Sequence, residues 1–220
     1  MPDQTQKGLE QYLRPTAIIE SEHPDLLRFV QRVTNGAESP VAKAVKLYYA
    51  VRDGWRYNPY DIRLEADAMK VSVLLDKSYG HCIDKAVILV AACRAVGIPA
   101  RICLSKVRNH IAAERMTAAF GTDELVPHGY AELWLNERWV KATPAFNREL
   151  CGRLGVMPLA FDGYEDSLFQ EFDHAGGEFM EYLEEYGAFD DLPMERIREL
   201  MKQHYPEAYA NYERHGQLVV

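Results

Sequence analysis

The segment from Gly80 to Arg101 constrains the fold more than any other part of the chain. Cys82, Ala86, Leu89, Val90, Cys93 and Val96 recur at the i, i+4, i+7, i+8 spacing of a helical face, and Gly97 with Pro99 closes the run, so the pattern predicts a buried helix. The period then changes. Ile98 to Val107 and Gly129 to Leu135 are rich in strand formers, and Arg138 to Ala142 reads as a third strand joined to the second by the turn Asn136-Glu137. A buried helix feeding an antiparallel sheet places the chain in the α+β class.

Upstream, Leu26, Leu27, Phe29, Val30 and Val33 predict a helix over Asp25 to Val33, between the start signal His23-Pro24 and the stop signal Asn35-Gly36. Ser39-Pro40 opens a longer helix running to about Gly54. Trp55 to Tyr60 ends it, and its aromatics and proline imply an ordered connection that packs against the body. Ala68 to Leu75 reads as a short helix and Lys77 to Gly80 as a turn, while Met1 to Ile19 reads as a loose arm or a first strand. The stretch Arg108 to Pro127, with a helical pattern around Ala112 to Phe120, is long enough to cover a site. Beyond Asn147 the chain turns acidic and aromatic, with a turn at Asp162-Gly163-Tyr164 and helices expected near Gly177 to Tyr186 and Met194 to Tyr212. No Pro/Gly/Ser linker interrupts it. Residues 1–220 are therefore expected to form one domain, with a core at about 40–150 and a helical extension from 151 to 220 packed onto it.

Composition narrows the function classes. The 220 residues carry a net charge of −8, and their Lys and Arg are scattered, which argues against nucleic acid as a partner. Met1 to Glu10 lacks the order of a secretory signal and no apolar run is long enough to span a membrane, so a cytoplasmic protein without a membrane partner is expected. Cys82, Cys93, Cys103 and Cys151 form no CxxC pair and lack the His spacing expected of a zinc knuckle, which argues against a metal site. No cofactor is implied.

The chemistry concentrates in Gly80-His81-Cys82-Ile83-Asp84. Cys82 stands on the first turn of the buried helix, where unpaired N–H groups and the helix dipole favour a thiolate and can receive the oxyanion formed when a carbonyl is attacked. His128, immediately before the alternating run Gly129 to Leu135, is the candidate base, because imidazole exchanges protons near neutral pH. Cys93 and Cys103 lie on apolar faces and read as core. His81 is expected to point away from its neighbour Cys82 yet stays a candidate for lining the site. Asp84 either complements the helix dipole or orients substrate, and Trp55, Tyr57 and Tyr79 read first as core aromatics, with a Tyr hydroxyl or the Trp N–H a candidate second oxyanion donor.

Gly80-x-Cys82-x-Asp84 opening a helix that ends in Gly97-Ile98-Pro99-Ala100-Arg101, then His128 heading a strand, then Trp139-Val140 leading into Thr143-Pro144, resembles the core of the transglutaminase-like superfamily. The likeness covers about residues 40 to 150, and Pro144 to Asn147 with Phe161 to Gly163 is similar to small bacterial members regarded as cysteine proteases. The resemblance implies a papain-like Cys-His-Asp triad on a helix packed against an antiparallel sheet. The family places Asp before the proline that follows the Trp-containing strand, and this chain has Thr143 there. Thr143 could hydrogen-bond the imidazole without charge, and Asn147 could do so if its loop folds back. The expected reaction is acyl transfer through a Cys82 thioester, chiefly hydrolysis, on a peptide, a protein or a small amide. Two rivals stand beside it: a catalytically retired domain that binds peptides or proteins, for which Thr143 speaks, and a thiol redox protein, which would need two neighbouring cysteines.

Overall fold

The computed structural model describes residues 8–110, 117, 121–168 and 180–216, and one buried helix is its axis. Ahead of that helix come α1 (Pro24–Thr34) and α2 (Pro40–Gly54), each opened by a proline at the position where a missing N–H costs nothing. The His23 ring and the Ser39 hydroxyl cap them by accepting from Asp25 N and Ala42 N. The two-residue strands β1 (Arg56–Tyr57) and β2 (Tyr79–Gly80) pair in parallel, and the short helix α3 (Val71–Leu75) lies between them in sequence. Trp55 is buried there and its indole donates to Leu74 O at 3.2 Å.

The axis, α4 (Cys82–Ala95), is buried at every position from Cys82 to Arg94. Each fully buried Leu or Val on it contributes roughly 1.5–3 kcal/mol. Gly97 ends it at φ +78°, and Ile98 N returns to Cys93 O at 3.0 Å. The strands β3 (Ala100–Asn109), β4 (Glu124–Leu135), β5 (Arg138–Ala142) and β6 (Met180–Phe189) form an antiparallel sheet in the order β5-β4-β3-β6. One side of α4 packs on β3 and β4, and it also meets α1, α2 and α3. The architecture is α+β, with the expected helix-on-sheet core.

Two charged side chains survive inside this core because backbone carbonyls surround them. The Lys85 ammonium donates to Arg52 O, Trp55 O and Ala145 O at 2.8, 2.9 and 2.6 Å. It ties the end of α2 and the loop after β5 to α4. The Arg94 guanidinium donates to Ala100 O, Arg14 O and Asp190 O, so its fork fastens the N-terminal arm to the body.

Four expectations need correction. Met180 to Tyr186 is a strand and not a helix, while 177–179 lie outside the described residues. Its Glu and Leu residues favour a helix locally, but β3 offers an open edge, Arg108–Glu181 at 3.0 Å joins the paired strands, and Lys141 of β5 reaches Glu185 at 2.5 Å. The C-terminal extension is therefore mixed: α5 (Arg148–Leu154), then β6, then α6 (Met194–His204) and α7 (Pro206–His215), split where Pro206 cannot donate its hydrogen bond. β4 begins at Glu124, five positions ahead of Gly129, because a register shift between Ser105 and Val107 absorbs Val126-Pro127 as a bulge. The described part of the N-terminal arm is neither loose nor a strand: Glu10–Tyr12 is a 3-10 turn, and the Tyr12 ring packs edge-on against Trp139 at 5.2 Å. The helical pattern around Ala112 to Phe120 lies, Thr117 aside, outside the described residues.

Candidate active site

The helix start is built by five consecutive residues. The His81 ring accepts from Ile83 N at 3.1 Å, and the Asp84 carboxylate accepts from His81 N at 3.1 Å, a reciprocal cap. Gly80 is required for it, since a Cβ there would lie 2.9 Å from Asp84 Cβ. The cap leaves Cys82 as the first helical residue, and among the described residues its own N–H makes no hydrogen bond. That N–H is a ready donor for an oxyanion.

The sheet delivers the imidazole. β4 crosses the helix start so closely that a Cβ on Gly129 would meet Ile83 Cγ1 at 2.6 Å and Ile83 Cα at 2.9 Å. Glycine at 129 thus sets the approach that brings His128, the residue before it, onto Cys82, the residue before Ile83. The Cys82 thiol thus lies beside both the His128 and the His81 rings, close enough for each to act on its charge.

These contacts decide the thiol's charge. Burial opposes ionisation of Cys82, but the charge and hydrogen bond of His128, followed by those of His81, outweigh it and hold the thiol well below its ordinary range. His81 is itself raised: burial works against its charge, and the Asp84 carboxylate, with Nε2 to Oδ1 at 3.4 Å, and the Cys82 sulfur overcome that. Burial raises Asp84. In the other three thiols burial dominates and raises the pKa. His81 therefore faces the sulfur, against the expectation that it points away, because its backbone is extended and the cap folds its ring back over the first turn.

The remaining candidates divide. Tyr57 lines the same cleft as Cys82, and its phenol stays protonated well above its usual range, first through burial and then through the Cys82 charge. Tyr79 is turned elsewhere, its hydroxyl donating to Asp61 at 3.2 Å. Thr143 and His128 line one small void of about 10 Å³, but the Thr143 hydroxyl makes no hydrogen bond among the described residues. The register explains this: Ala131 pairs with Ala142, which sets Tyr130 and not His128 level with Thr143. Asn147 serves another partner, its carboxamide oxygen accepting from Tyr57 N at 3.0 Å. It holds the strand that carries Tyr57.

Cys82, His81 and Tyr57 open onto a cleft of about 370 Å³, within the ordinary range for small-molecule sites. Its far wall is the C-terminal extension, through Met194, Ile197 and Met201 of α6 and then Tyr205. The Tyr205 hydroxyl donates to Glu124 O at 2.6 Å and accepts from Val126 N at 2.7 Å, so the same residue fastens the strand leading to His128. Neither this wall nor the role of His81 was apparent from sequence. Among the described residues no group of His, Cys, Asp and Glu is arranged to hold a metal, and no helix is long and apolar enough to cross a membrane.

Comparison with known proteins follows the same outline. No curated protein matches the chain. Several solved structures are similar, among them the following two. One is "a Putative Cysteine Protease from Cytophaga hutchinsonii", at 17% identity over 60% of this chain and 40% of that one, with a TM-score of 0.47. The other is the periplasmic domain of TgpA from Pseudomonas aeruginosa, at 19% identity over 68% and 50%, with a TM-score of 0.46. The chain thus spans only 40% to 50% of the length of these two structures. The family model for the transglutaminase-like superfamily matches residues 27–144, a span that runs from α1 through Cys82 and His128 to Thr143-Pro144. This chain belongs to the transglutaminase-like superfamily.

Proposed function

We propose that the protein is a cysteine-dependent acyl-transfer enzyme, acting chiefly as a hydrolase on an amide or ester carbonyl. Family membership supports cysteine-based catalysis in general terms. The observation that carries the specific reading is a thiol at a helix start, open to a cleft and crossed closely by the strand that bears His128, with its pKa lowered despite burial.

In this reading the Cys82 proton rests on His128, and the thiolate attacks the carbonyl carbon. The Cys82 N–H and the Tyr57 hydroxyl receive the oxyanion, and the leaving amine or alcohol departs with the proton from His128. Water, activated by the same imidazole, then splits the thioester. His81, whose Nδ1 accepts from Ile83 N–H, shares its Nε2–H between the thiolate and the nearby Asp84 carboxylate. Thr143 confines the His128 ring by contact across their shared void instead of by charge. Peptides, proteins and small amides remain the substrate classes, and the cytoplasm, where four free thiols stay reduced, is the setting.

One observation favours a second reading, a retired domain that binds peptides or proteins: the position the family gives to Asp holds a threonine without a hydrogen bond. Iodoacetamide labelling followed by mass mapping separates the two. Rapid alkylation confined to Cys82 and lost in His128→Ala supports the enzyme, and four uniformly inert thiols support the binding domain.

A further inference from the structure

Resting on the acyl-transfer reading, we infer that the group transferred to Cys82 is an extended apolar acyl chain, carried by an ester or amide and seated against α6. A carbonyl carbon attacked by Cys82 must sit at the sulfur, so the chain attached to it enters the cleft that the sulfur faces. That cleft holds about 370 Å³ and is walled by Ile62, Leu64, Met69, Leu125, Ile197 and Met201. Such walls reward hydrocarbon and offer little to a polar acyl group.

Two features narrow the class further. Methionines from separate elements, Met69 before α3, Met194 and Met201 on α6, meet across the cleft. Their unbranched side chains adapt to a flexible chain better than to one rigid ring. Among the described residues the charged side chains lining the cleft are Arg63 and Arg153 besides His81, and none of those lining it is Asp or Glu, in a chain of net charge −8. A lysine or arginine side chain would find no counter-charge there, whereas an aliphatic chain needs none.

The step balances without a further reactant. The sulfur forms a bond to the acyl carbon, the C–O or C–N bond breaks, and the leaving group takes the proton held on His128. Water then releases the carboxylic acid and restores the thiol.

Nitrophenyl esters of acetate, butyrate, octanoate and dodecanoate test this, with the Cys82 adduct followed by mass. Each seated methylene should raise kcat/KM by roughly fourfold until the cleft is full, so octanoyl should exceed acetyl by at least about 50-fold. Leu154→Trp, at the rim, should shrink that ratio. A flat chain-length profile with Cys82 acylated overturns the inference and leaves acyl transfer standing. Decanoate and butyrate titrated into Cys82→Ala supply a measure independent of chemistry, and decanoate should bind at least tenfold more tightly. If no ester acylates Cys82 but decanoate binds and Leu154→Trp abolishes it, the cleft assignment holds and acyl transfer falls. Absence of both acylation and decanoate binding overturns the assignment.

Discussion

Cys82 and Cys93 stand on one helix, both buried, with opposite acid–base character. Cys93 has only apolar burial acting on it and is pushed up. Cys82 experiences the same penalty, but it sits on the first turn, beside one imidazole folded back by a cap and another delivered by a strand. Burial alone makes a thiol inert, and a charged neighbour supplied from each side reverses it. The difference lies in the helix end and in what crosses it, not in the residue type.

The widest expected gap is kinetic. At neutral pH Cys82 should alkylate at least ~1000-fold faster than Cys93, and its rate–pH curve should already be level below the ordinary thiol range near ~8.5. Mass-mapped labelling between pH 5 and 9 checks this; comparable rates at both thiols would dissolve the contrast. The sign for stability follows. Since the folded pKa is depressed, the contribution of Cys82 is complete above its unfolded value and is lost as pH falls through its folded one.

Removing the sheet's imidazole comes next. His128→Ala should slow Cys82 labelling by about 100-fold and shift its midpoint upward, within the usual range for a lost acid–base partner. Unchanged labelling would assign the activation to His81.

Lys85 extends the comparison to a cation on the same helix, one turn along from Cys82. Burial drags its ammonium down to about 7, below an unfolded value near ~10.4. The unfolded chain therefore holds more protons between those values, and stability should rise with pH across that window and stay level beneath it. Lys85→Met should cost about 2–4 kcal/mol by stranding three carbonyls, and should abolish that slope in urea unfolding series.

Gly129→Ala asks whether approach distance matters by itself. The added methyl meets Ile83 backbone, so a loss of about 1–3 kcal/mol is expected with slower Cys82 labelling. A variant of undiminished stability and labelling would show that the strand does not need its glycine. The smallest effect is expected from His81→Asn, which retains a side-chain acceptor for Ile83 N–H but removes the ring from the sulfur. Melting temperature should barely move, while the labelling midpoint rises and the rate falls a fewfold.

What was readable in sequence was whatever local rules control. The caps at His23-Pro24 and Ser39-Pro40, the stop at Gly97 and the hairpin at Asn136-Glu137 follow from backbone restrictions, and Asn136 and Glu137 do take positive φ. The pairing of Cys82 with His128 was suggested by helix-start chemistry and strand order. What escaped depends on partners distant in the chain. Met180 to Tyr186 becomes a strand because β3 has an edge to fill, and Tyr205 acquires its role only through Glu124 and Val126. His81 reads from sequence as a candidate for lining the site, and only its expected direction differs, because adjacent helical side chains diverge whereas a capping residue lies just outside the helix and obeys a different geometry.

The tie from Tyr205 also carries a temporal consequence. During synthesis Cys82 and His128 leave the ribosome well before the residue that secures Val126, 79 positions further on, and before α6 supplies its wall. A nascent chain therefore carries Cys82 and His128 before the far wall of the cleft exists and before Tyr205 can fasten the strand leading to His128.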